Sequence, residues 1–336
     1  MRSNNWLNLS KQQQINIFNQ AGVQTGLPAF AIEKDAWVTL VLRMLFSSEL
    51  SSHIVFKGGT SLSKVYRLIE RFSEDIDLSI NREYLGFGED LTKGKIRKLR
   101  RASHSFSLNT LPDILEKQFD QYGIDGSLYD ISVPNKKISD QDPEVVHINY
   151  ESVFEEETYL ANRVSVEIGA RSLNEPFEEK NINAIIDEQY PEADFTDNPF
   201  PVKTILPEKT FLEKMILLHE EFCKPPEKIK YKRMSRHLYD IEQIASTEYG
   251  ERAMRDEGLF RNICNHRKLF TPVKVVEYDK LNLAELDFIP PDDFIKQYRD
   301  DYTEMQNSMI YGDSLPFNVL INKLQKVKVN HLNTRK

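Results

Sequence analysis

Apolar residues recur at helical spacing across Glu33–Glu49, where Trp37, Leu40, Val41, Met44 and Leu45 form one stripe. His53–Phe56 follows as a short β-prone run and ends in Lys57-Gly58-Gly59-Thr60. From Ser61 to Arg71, Leu62, Val65, Tyr66 and Ile69 return to i, i+3, i+4, i+7 spacing and predict a second helix. Asp75–Ile80 then alternates polar with apolar positions, the mark of a strand with one buried face. Leu91 to about Tyr122 predicts a long basic helix, and Val145–Tyr150 and Arg163–Ala170 predict two more strands. Residues 172–203 are rich in Asn, Pro and acids and predict loop with at most one helix, and beyond Pro207 the pattern is helical nearly to the end.

Mixed α and β followed by helix predicts an α+β chain. The division falls at 1–204, a core with N-terminal helices and a mixed sheet, and 205–336, a helical C-terminal region. The 336 residues, 40% hydrophobic, are enough for one large core or two modest ones. No apolar run reaches the roughly 18 residues needed to span a bilayer, and the N-terminus lacks the apolar stretch of a secretory leader. Cys223 and Cys264 match no metal or disulfide spacing, so a cytoplasmic location without a membrane is expected.

A net charge of −8 argues against a protein that coats nucleic acid over its whole surface. The charges are segregated, however. Basic residues gather at Lys93–Arg101 and Lys224–Arg236, and acidic ones at Glu151–Glu157 and Glu175–Asp197. This pattern suits either a local surface for an anionic ligand or simply solvated faces.

The candidate chemistry begins at the Gly58-Gly59-Thr60 turn. Glycines let a backbone approach a phosphate, a helix start offers unbonded N–H groups, and Thr60 and Ser61 would add hydroxyl donors. If the predicted helix runs on to Arg71, Lys64, Arg67 and Arg71 share a face with Thr60 and could guide a triphosphate. Asp75 and Asp77, two apart on a strand, point the same way about 7 Å apart. Carboxylates so placed repel unless a cation lies between them, and their oxygens suit Mg²⁺. Paired ions about 4 Å apart can activate an attacking hydroxyl and steady a leaving pyrophosphate. Glu167, on the polar side of its strand, is the candidate third metal ligand, although an ordinary surface glutamate shows the same pattern.

Lys214 lies at the edge of the stripe Phe211, Met215, Leu218 and Phe222 and calls for an anion nearby. Arg236 and Asp240 stand at i, i+4 and can pair. Ser73 joins the nucleotide-binding set. It stands two residues before Asp75, where an added phosphate would oppose NTP binding. The seven histidines show no close ligand pair.

Together these segments resemble the AbiEii/AbiGii nucleotidyltransferase toxin family. Phe56–Lys64 and Arg71–Leu78 are similar to its first two motifs. Pro207–Lys214 resembles its third, whose functional lysine matches Lys214, and Arg236–Ile241 its fourth, whose acidic position matches Asp240. Met309-Ile310-Tyr311-Gly312 with Pro316-Phe317 resembles the family's tail. His237-Leu238 departs from the Lys-Asp often found there.

The resemblance implies a DNA-polymerase-β-like fold and an NTP substrate. It also implies the toxin half of a toxin–antitoxin or phage-defence pair, a cognate antitoxin and, for some members, modification of the tRNA acceptor end. The expected reaction is Mg²⁺-dependent transfer of a nucleotide from NTP to an RNA acceptor such as tRNA, whose backbone the clusters Lys93–Arg101 and Lys224–Arg236 would dock. Asp75 and Asp77 would hold the metal with Glu167. Gly58, Gly59, Thr60, Ser61, Lys64 and Ser73 would seat the nucleotide, Lys214 would act on phosphate, and Asp240 would position Lys214 or the acceptor. Alternatives are nucleotidylation or phosphorylation of a protein or small molecule by the same site, and a non-catalytic NTP-sensing or partner-binding module.

Overall fold

The computed structural model describes residues 5–73, 75–88, 91–135, 137, 142–154, 161–172 and 174–333, with side chains as far as 328. Glu74 and the acidic run at residues 155–157 lie outside the described residues. The chain divides into two compact units, residues 1–65 with 74–204 and residues 66–73 with 205–336.

The first unit is built on a mixed seven-stranded sheet. Its strands are β1 (Ile54–Lys57), β2 (Asp75–Ile80), β3 (Tyr129–Ser132), β4 (Glu144–Tyr150), β5 (Arg163–Gly169), β6 (Phe177–Ile182) and β7 (Phe200–Ile205), in the order β3-β4-β5-β2-β1-β7-β6. β1 runs antiparallel to β2 and parallel to β7, β2 runs parallel to β5, and β4 is antiparallel to both β3 and β5. The helices of this unit are α1 (Lys11–Thr25), α2 (Ala29–Ser47), α3 (Gly58–Lys64), α4 (Lys93–Asn109), α5 (Leu111–Tyr122) and α6 (Ile185–Gln189).

One face of the sheet is apolar. Phe56, Ile76, Leu78, Val146, Ile148, Val164, Val166 and Ile168 are buried along it, and α2 and α4 pack on these strands. Trp37 of α2 stacks on Tyr150 at 4.7 Å between ring centroids. α2 is buried almost all round, as expected of a helix at the centre of a unit.

The second unit is helical, with α7 (Pro207–Phe222), α8 (Ser235–Ala245), α9 (Glu248–Arg255), α10 (Glu257–Phe270), α11 (Ile295–Ser308) and α12 (Phe317–Asn333). The α+β class, a mixed sheet followed by helices, is as expected. Among the described residues no helix is long and apolar enough to cross a membrane.

Several local features differ from the sequence reading. The helix begun at the double glycine stops at Lys64, and Arg67 takes a positive φ of 53°, so no continuous row joins Lys64, Arg67 and Arg71. The long basic helix breaks at Thr110, with Pro112 starting α5. Residues 172–203, expected as loop with at most one helix, contain that helix as α6 but also β6, and they reach into β7. β6 is mostly exposed and strongly charged at the sheet's edge, so it carries little of the apolar alternation that marks a strand.

Candidate functional site

The carboxylate site stands on the open face of the first unit. Asp75 and Asp77 point away from the buried Ile76 and Leu78. Strand pairing sets Asp77 beside Lys57 on one side and Glu167 on the other. In-register neighbours on adjacent strands share a face, so Lys57, Asp77, Glu167 and Val145 form a row across four strands. A second row, Asp75, Ser165, His147 and Ser132, lies beside it. All of these side chains are half-buried.

The turn after β1 fits closely against this row. Gly58 has φ +82°, and a Cβ there would lie 1.9 Å from Asp77 Oδ2 and 2.7 Å from its Cγ. The missing side chain is therefore what admits the Asp77 carboxylate to the start of α3. Thr60 donates its hydroxyl to the Asp75 carbonyl, and Ser61 donates to the Gly58 carbonyl at 2.9 Å. These hydroxyls, expected to face phosphate, hold the turn and the strand together. Lys64 pairs with Asp35 at 2.5 Å, and Asp35 also accepts the Ile185 N–H. Gly58→Ala should lower stability by about 1–2 kcal/mol, from both the backbone strain and the displaced carboxylate. A reduced denaturant midpoint with unchanged slope would show it, and a midpoint equal to wild type would mean that the turn relaxes freely.

Asp75, Asp77 and Glu167 supply the hard oxygen donors that Mg²⁺ prefers, on one face and beside a turn shaped for close approach. The set fits an ion that keeps part of its coordination for substrate oxygens. Among the described residues no three His, Cys, Asp or Glu side chains close into a metal cage. The row is thus an open platform.

Two neighbours of this platform went unrecognised in the sequence. Ser165 and His147 face each other across β5 and β4, with Ser165 Oγ 3.2 Å from His147 Nδ1. Burial and the Arg163 guanidinium push the His147 pKa down, against the pull of Asp75. The alternation of β4 and β5 was legible, but nothing in the sequence said that these two strands are neighbours.

The second unit holds Lys214 and Asp240. Asp240 on α8 is fully buried and accepts two bonds from Arg71, Nε to Oδ1 and Nη2 to Oδ2, both at 2.7 Å. Lys214 on α7 reaches the same carboxylate at 2.9 Å. The pairing anticipated between Arg236 and Asp240 is thus replaced by one with Arg71 and Lys214. Burial alone would raise the Asp240 pKa, but Arg71 and Lys214 outweigh it and hold the carboxyl below its ordinary range. Burial lowers the Lys214 pKa, and Asp240 only partly offsets this because Arg71 opposes it. Two cations share one carboxylate, so the bidentate guanidinium is the better satisfied. His237, also buried, has its pKa pushed far down by burial and by Lys214 and Arg236, and stays neutral.

Arg71 lies on the strap Tyr66–Ser73, which connects α3 to β2 yet belongs to the second unit. Glu70 N–H donates to the Tyr239 hydroxyl, Phe72 N–H to the Met309 carbonyl, and the Tyr311 N–H to the Glu70 carbonyl. Gly312 has no room for a Cβ, which would meet the Glu70 carboxylate. Ser73 is half-buried at the strap's end.

The basic stretch Lys93–Arg101 begins α4, which packs on the apolar face of the sheet. Further along the helix Ser103 bonds Asp142 and His104 approaches Glu144. Glu144 pairs with Ile168, and both lie on the buried face of the sheet. That cluster therefore lies across the sheet from the carboxylates.

A family model described as Nucleotidyl transferase AbiEii toxin, Type IV TA system, matches residues 40–323. No curated protein matches the chain. Among solved structures, the crystal structure of JHP933 from Helicobacter pylori is 16% identical, covering 92% of this chain and 100% of that one, with a TM-score of 0.38. A likeness of that order leaves the fold to be argued from this chain's own residues.

Proposed function

The chain belongs to the AbiEii nucleotidyltransferase toxin family of type IV toxin–antitoxin systems, and we propose that it transfers a nucleotide from NTP to a hydroxyl at the end of an RNA such as tRNA. The observation that carries this reading is the row Asp77–Glu167 beside Asp75, with the Gly58 turn folded against Asp77. Asp75, Asp77 and Glu167 would hold Mg²⁺, which when bound neutralises triphosphate charge and favours ionisation of an attacking hydroxyl.

The N–H groups at the start of α3 have no carbonyl partner within the helix and suit phosphate oxygens. The acceptor oxygen attacks the α-phosphorus, the bond to the β-phosphate oxygen breaks, and pyrophosphate leaves while the hydroxyl proton passes to solvent. Lys214 acts on phosphate in this proposal. Asp240 then positions Lys214. Family membership brings with it a partner antitoxin that restrains the enzyme.

The test is incubation of the protein and Mg²⁺ with total tRNA and each α-labelled NTP in turn. Label in RNA with wild type is the expected result. Label in protein would move the acceptor to a side chain. Transfer of γ-label alone would replace nucleotidyl by phosphoryl transfer.

A further inference from the structure

The Gly58 turn takes up one flank of Asp77, and Glu167 stands on the other. With nucleotide on the turn side, an attacking hydroxyl has to approach over β5 and β4. Apart from Val145, that part of the face is polar. Arg163, Ser165 and Glu167 alternate along β5, and Asn149 and His147 stand opposite Arg163 and Ser165 on β4. Arg163 is exposed, and it lies four residues from Glu167, about 13 Å along the strand. At this same end of the sheet is a concavity of about 510 Å³, lined by Asn149, Glu151, Ser152, Phe154, Asn162 and Arg163 among others. The Phe154 ring, the Asn162 amide and the Arg163 guanidinium are suited to stacking on a base, bonding its edge and holding a phosphate, whereas the Asn149 amide donates to Asp130 and Ser132.

We propose that this face seats the acceptor. Ser165 and His147 bond the sugar hydroxyls of a terminal nucleotide, Arg163 holds a backbone phosphate, and the adjoining concavity takes a base. The occupant is a single-stranded RNA end, because an alternation of hydroxyl-bonding groups, a cation and a stacking surface matches the repeat of sugar, phosphate and base. α4, the most basic helix, lies across the sheet and cannot contribute to this track. The assignment rests on the nucleotidyl-transfer reading above.

Steady-state transfer at saturating Mg²⁺–NTP, with RNA varied, separates the two. Arg163→Ala and His147→Ala should each raise the KM for RNA by about tenfold while NTP affinity stays within about twofold of wild type. Arg163→Lys and His147→Gln should recover part of the loss. Arg163→Ala should also flatten the salt dependence of RNA binding by about 0.7 in log–log slope, the share of one single-strand phosphate. RNA with a photoreactive 4-thiouridine at its 3′ end gives a second measure on the unaltered protein, with crosslinks expected in Asn149–Phe154 or Ala161–Ser165. Unchanged KM for RNA, or crosslinks confined to other segments, overturns the acceptor seat and leaves nucleotidyl transfer standing. Wild-type protein that labels no RNA overturns both.

Discussion

Asp77→Asn should reduce nucleotide transfer by about 10³-fold or more while the protein stays folded. The activity loss follows from the role proposed for this carboxylate beside Glu167 and Gly58. Withdrawing about 4 kcal/mol of charge stabilisation from the transition state costs about three powers of ten. Folding should survive the change because asparagine keeps the shape of the side chain on a half-buried strand face. The two effects are read by α-labelled NTP transfer and by thermal melting. Mg²⁺ should raise the melting temperature of wild type and have little effect on Asp77→Asn. A variant that keeps a tenth or more of the activity would show that Asp77 is not part of the reacting centre.

The largest expected effect on stability belongs to Asp240. Asp240→Asn keeps the shape of the side chain but leaves Arg71 and Lys214 buried without their shared anion. Removing one partner of a buried charge group costs about 3–5 kcal/mol, a fall of order 10 °C in the melting of the second unit. Lys214→Met should differ sharply. It leaves the bidentate Arg71–Asp240 pair intact and neutral, so stability should change by less than about 1 kcal/mol while transfer is lost.

The pH dependence follows the same logic. Asp240 has a folded pKa below its ordinary value. Its stabilisation is therefore complete above the ordinary carboxylate range and is lost as pH falls through the folded value. Asp240→Asn should flatten the acid limb of stability against pH. Equal melting temperatures for Asp240→Asn and Lys214→Met would contradict the shared-anion account.

The parts of this protein that were legible in its sequence are those written in short-range pattern. The double glycine, the Asp75–Asp77 alternation and the buried stripe of α2 each declare themselves within a few residues. Glu167 could be picked from its strand, yet its place beside Asp77 depends on a parallel pairing across the whole of α4 and α5, which no local spacing records. The same distance hid His147 and the Arg71–Asp240 pair. An i, i+4 rule pointed to Arg236 because it considers only one helix, whereas the carboxylate found a guanidinium far away in sequence. β3 and β6 escaped because edge strands carry half-exposed or charged residues rather than a clean apolar alternation. The early end of α3 escaped because the left-handed turn is made by Arg67, a residue type that seldom adopts it.

The strap Tyr66–Ser73 sets an order of assembly. Its partners are Tyr239, Asp240 and Met309–Gly312. A ribosome adding about 5–20 residues per second delivers these partners on the order of ten seconds or more after the strap itself has been made. Until the last of them emerges, the loop between α3 and Asp75 lacks the bonds that fix its course. A toxin built this way thus stays unfinished while still tethered to the ribosome.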